Sequence, residues 1–95
     1  MTHRFTQEAE HELDVALTWS PQPDELDMAV GIAIATILGT PSIAHRFPRT
    51  RARQFILPRF PYSLIYAEEA GEVVIDAFAH HKRKPGYWRH RLRNP

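Results

Sequence analysis

Ninety-five residues suffice for one domain with a modest core, and the absence of cysteine rules out a disulfide framework, a zinc knuckle and a thiol nucleophile. No apolar run reaches the roughly 18–20 residues that span a bilayer, and residues 1–20 are acidic and polar rather than an export signal, so a cytoplasmic location is expected. The formal charge is +1, yet residues 1–45 hold one Arg against seven acids (net −6) while residues 46–95 hold eleven Lys and Arg against four (net +7), which points to a basic face for an acidic partner.

Residues 3–5 read as a short opening strand, and Thr6 as the N-cap of a first helix that runs to about Trp19, with Glu8 and Glu10 well placed against its dipole. Ala9, Leu13, Ala16 and Leu17 form its buried stripe, leaving Glu10, Glu12 and Asp14 on the wet side. Ser20-Pro21-Gln22-Pro23 interrupts the helical pattern. A second helix opens at Pro23 or Asp24 and ends near Gly39, where glycine is expected to supply a left-handed cap and Pro41 forbids continuation. Leu26, Val30, Ile34, Ile37 and Leu38 make the stripe that should face a sheet. Met28 and Ile32 lie nearly opposite; packing against the first helix is the expected role for them, and a docking surface is the alternative.

Residues 40–51, with Pro41, Pro48 and three arginines, read as a loop. Three strands follow, Arg53 to Leu57, Tyr62 to Ala67 and Glu72 to His80, the last two joined by a turn at Glu69-Ala70-Gly71. Strict alternation sets Tyr62, Leu64 and Tyr66 on one face. In the last strand it groups Val73, Ile75, Ala77 and Ala79, leaving Val74, Asp76, Phe78 and His80 to line an open side. The sum is an α+β domain spanning 1–95, a helical hairpin packed on a curved antiparallel sheet in the order β-α-α-β-β-β.

The run from Arg59 to Arg91 carries Phe60, Pro61, Tyr62, Tyr66, His80, Arg83, Pro85, Tyr87 and Trp88. In that order and spacing it resembles the RelE/ParE superfamily, the toxin subunits of bacterial type II toxin–antitoxin modules. The match is dense over residues 53–91 and looser over 5–19, where Phe5, Thr6, Ala9, Leu13 and Trp19 fit, and the stretch between Trp19 and the second helix is shorter than usual for the family. The resemblance implies the same α+β fold, a role in plasmid stabilisation or growth inhibition, and a cognate antitoxin that folds onto the domain. It leans to the ParE branch, for which it implies binding and inhibition of DNA gyrase.

The basic aromatic tail is the first candidate surface for a target. Arg83, Lys84, Tyr87, Trp88 and Arg89 combine guanidinium groups that bind oxyanions with rings that stack, although Tyr87 and Trp88 could equally clamp the tail onto the sheet. For the antitoxin the candidates are Met28, Ile32 and Arg53, with acidic partner residues set against Arg53, Arg83 or Arg89.

The second candidate is RelE-type cleavage of messenger RNA on the ribosome, in which Arg83, Tyr87 and His80 would be catalytic. There the resemblance puts cations in positions where this chain has Gln54, Ile56 and Ser63. Losing three cations from a site that must neutralise a phosphorane costs about 10³-fold or more in rate. The reading therefore leans away from an enzyme, with a detoxified antitoxin-binding module as a third possibility and a homodimer or toxin–antitoxin hetero-oligomer as the expected assembly. A metal site is not expected despite six histidines, because His80 and His81 are neighbours on a strand and no His-x-x-x-His pair exists. No cofactor is expected.

Overall fold

The structure, a computed structural model, describes residues 1–93. Strand β1 (Thr2–Phe5) leads into helix α1 (Gln7–Trp19) and helix α2 (Pro23–Gly39), followed by β2 (His45–Arg46), β3 (Arg53–Ile56), β4 (Tyr62–Glu69), β5 (Glu72–His80) and a 3-10 turn over Arg89–Arg91. The five strands form one sheet in the order β1-β5-β4-β3-β2. This is the expected α+β architecture. The sheet is mixed because β1 pairs parallel with β5, and the two-residue β2, inside the expected loop, extends its far edge against β3.

Local chemistry accounts for the boundaries. The Thr6 hydroxyl accepts from the Ala9 amide at 3.2 Å, satisfying one of the orphan donors of α1. Pro23 occupies the first turn of α2, where its missing N–H costs nothing. The far end of α2 differs from expectation: Gly39 is the last helical residue, and Thr40 forms the cap with extended φ of −148°, its amide bonded to the Thr36 carbonyl at 3.1 Å. No left-handed residue is required there. Ala70 and Gly71, both at positive φ, make the two-residue loop between β4 and β5. Such a backbone matches the right-handed twist of the flanking strands.

The helices pack on one face of the sheet, where Ala9, Ala16, Leu26, Val30, Ala33 and Ile37 meet Leu64, Tyr66, Val73, Ile75 and Phe78. The other face is covered too. Ala52, Ile65, Ala77 and Ala79 are sealed by Trp88, with Phe47, Tyr87 and Leu92 packed around it. Expected alternation held for Tyr62, Leu64 and Tyr66 and failed for β5. The register shifts between Ile65 and Tyr66, which pair with Ala77 and Ile75, so Asp76 is an extra residue in β5. That bulge returns Phe78 to the helix side and turns Ala77 and Ala79 to the tail side.

Two further expectations are corrected. Met28 and Ile32 do not pack on α1; they are 68% and 62% exposed. Glu12 is not on the wet side of α1, because its carboxylate turns onto β5 and the tail.

Candidate functional site

The tail after β5 is folded by a succession of tight turns. The Arg83 amide bonds to the His80 carbonyl, Tyr87 to Lys84, Arg89 to Gly86 and Arg91 to Trp88, all at 2.9–3.1 Å. Gly86 sits at φ 80°, a conformation that favours glycine, and a Cβ there would displace the flexible Arg89 side chain, whose Nε it would approach to 2.7 Å. This path drives Trp88 into the sheet.

One carboxylate anchors the whole segment. Glu12 accepts from Tyr87 Oη at 2.6 Å, from Arg91 Nη1 at 2.8 Å and Nη2 at 3.2 Å, and from the Phe78 amide at 3.0 Å. Burial, then the Glu12 bond and charge, push the Tyr87 phenol well above its ordinary range. A second anchor lies at the bulge. Asp76, fully buried, accepts from Arg93 at 2.7 and 3.1 Å, and Arg93 also pairs with Glu69. The Glu69 carboxyl is held below its usual range by that Arg93 bond, against the opposing effect of burial.

Between tail and sheet lies a cleft of about 280 Å³, lined among others by Gln54, Ile56, His81, Arg83, Lys84 and Tyr87. The Arg83 guanidinium stacks 3.8 Å from the Tyr87 ring centre and stays 3.9 Å from Glu12, with its side chain 55% exposed. Gln54 Nε2 donates to Ser63 Oγ at 3.2 Å, and Ser63 Oγ lies 3.1 Å from His81 Nε2. The three positions that would carry cations in a RelE-type nuclease therefore hold a neutral hydrogen-bonded pair and an exposed isoleucine. His80 accepts the Lys82 amide on Nδ1 at 3.0 Å and meets Tyr62 edge-on at 5.0 Å, which fixes its ring and puts the proton of the neutral form on Nε2.

The structure thus gathers Arg83, Lys84, Tyr87 and His80 around one cleft, with Arg89 outside it, bonded to the Pro48 carbonyl at 3.3 Å and 5.1 Å from the Phe47 ring centre. Trp88 is only 2% exposed, so its ring is spent on the core and offers no stacking face to a partner. That corrects its place among the target contacts.

Met28, Ile32 and Arg53 are not brought together. Met28 and Ile32 border a separate groove of about 300 Å³ with Phe55, Pro58 and Arg59. Arg53 is half-buried and ties down the loop before β2 through the Ala44 carbonyl at 2.8 Å and the Ser42 carbonyl at 3.3 Å. Among the described residues no group of three His, Asp or Glu could hold a metal ion, and no helix is long and apolar enough to cross a membrane. Sequence reasoning missed Glu12 and Asp76; the signal available was an acid facing no cation within its own helix or strand.

No family model and no curated protein matches the chain. Among solved structures it is similar to a chain of the chromosomal ParDE TA system from P. aeruginosa, with a TM-score of 0.62 and 19% identity over 84% of this chain and 95% of that one. The two chains share a fold.

Proposed function

We propose that this chain is the toxin of a type II toxin–antitoxin module, of the ParE-like kind, acting in the cytoplasm by binding DNA gyrase and not by catalysis. The observation that carries this reading is the fold shared with a chain of a ParDE system, taken together with a cleft whose polar centre is Gln54, Ser63 and His81 instead of cations. A phenol held by Glu12 above its ordinary range is a poor base at neutral pH, which weakens the nuclease alternative further. Arg83 and Lys84, exposed at the mouth of the cleft, are the proposed target contacts, with Arg89 beside them.

The cognate antitoxin is proposed to lay an apolar segment into the groove bordered by Met28 and Ile32, the largest exposed side chains of α2. Expression of the chain in a bacterial host lacking that antitoxin, with growth and a DNA-damage-response reporter read in the same cells, tests the proposal. Arrest with reporter induction is expected. Arrest without induction would transfer the assignment to ribosome-dependent cleavage of messenger RNA, and unimpeded growth to a detoxified antitoxin-binding module.

A further inference from the structure

A second charged recess lies at the other end of the sheet. The register places Arg46 of β2 directly opposite Arg53 of β3, and Arg53 directly opposite Tyr66 of β4. Like charges in facing positions repel and destabilise a strand pair. Among the described residues no carboxylate lies within 4 Å of either guanidinium, whereas Arg51, Arg83, Arg91 and Arg93 all have one. The groups bonded to the pair are carbonyls: Ser42 and Ala44 for Arg53, and Thr50 for Arg46 at 3.4 Å. These orient the side chains and leave the charges standing.

Arg46, Arg51 and Arg53 wall a pit of about 200 Å³ completed by Tyr66, Ala67 and Glu68. Glu69 lies 3.6 Å from Arg51 and is shared with Arg93, which Asp76 also holds, so Arg51 and Arg93 are balanced by Glu69 and Asp76. Arg46 and Arg53 therefore face Glu68 alone, and one positive charge is left over. A single carboxylate balances it; a dianionic phosphate would place surplus negative charge beside Glu68. Guanidinium forks suit a carboxylate by bidentate bonding, and relief of the Arg46–Arg53 repulsion adds to the gain.

We infer that this pit is a receptor for one Asp or Glu carboxylate presented by an acidic peptide segment, distinct from the tail cleft and from the α2 groove. That the segment belongs to an antitoxin rests on the function proposed above; the site itself does not.

Thermal unfolding of the full chain at matched ionic strength, with tetraglutamate, inorganic phosphate or potassium chloride added, tests the inference. Tetraglutamate is expected to raise the melting temperature saturably, while phosphate does no more than chloride. Arg46→Gln should weaken tetraglutamate binding about tenfold or more. In chloride alone the same variant should melt no lower than the parent, since an exposed side chain is changed and a repulsion removed. No peptide-specific rise, or an equal rise in Arg46→Gln, would overturn the site, and an equal rise with phosphate would overturn its assignment to a carboxylate. None of these outcomes bears on growth arrest, so the toxin reading stands or fails separately.

Discussion

Glu12 joins α1, β5 and the tail through a single carboxylate, and its partners Tyr87 and Arg91 lie 75 and 79 residues away along the chain. Its side chain is 14% exposed and that of Arg91 11%, so the pair is little screened and its loss leaves a guanidinium stranded against the core. Glu12→Ala is expected to lower the unfolding free energy by about 3 kcal/mol in urea denaturation and to shift Trp88 emission to the red. A loss below about 1 kcal/mol would show that the tail holds without this anchor. Tyr87 gives a second prediction. Its folded pKa is raised above the unfolded value, so its contribution is complete below about pH 10 and is lost as the pH rises above that. Unfolding free energies measured from pH 9 to 11 should fall less steeply in Tyr87→Phe than in the parent. Tyr66, raised chiefly by burial, should leave a residual slope in both.

At the level of elements, the sequence declared what depends on neighbours in the chain. The Thr6 cap, the Pro23 start, the Gly71 turn and the approximate spans of both helices and of β1, β3, β4 and β5 were all legible from adjacent residues. What depends on pairing was not. Val73 to Ala79 is apolar in both parities except at Asp76, so a strict alternation and a bulged one look alike until the partner strand is present. The two residues of β2 form a strand only because Gln54 and Arg53 lie opposite. Trp88 resolved as a core residue for a similar reason, since its cover, Phe47, comes from a distant loop and meets it edge-on at 4.9 Å. The Met28 stripe is where the packing expectation failed, and it yields a prediction. With Met28 68% exposed, Met28→Asp should change the unfolding free energy by less than about 1 kcal/mol while weakening antitoxin binding measured by calorimetry. Unchanged affinity would remove the stripe from the docking surface.

In the whole molecule the acidic N-terminal half and the basic C-terminal half are not simply two opposed faces. Glu12 crosses the boundary to neutralise Arg91, and within the basic half Asp76 and Glu69 together neutralise Arg93 and Arg51. Among the described residues Arg46, Arg49, Arg53, Arg59 and Arg89 have no carboxylate within 4 Å, and Arg83, 3.9 Å from Glu12, keeps its side chain 55% exposed; of these Arg83 and Arg89 lie near the tail cleft, and Arg46 and Arg53 at the pit. The tail is therefore a structural element first, with a narrow exposed fringe that carries the proposed target contacts. The most direct measurement is supercoiling of relaxed plasmid by purified DNA gyrase in the presence of the purified chain. Inhibition by the parent is expected, with recovery of supercoiling in an Arg83→Ala variant that still folds. Full gyrase activity at saturating parent chain would rule out gyrase as the target.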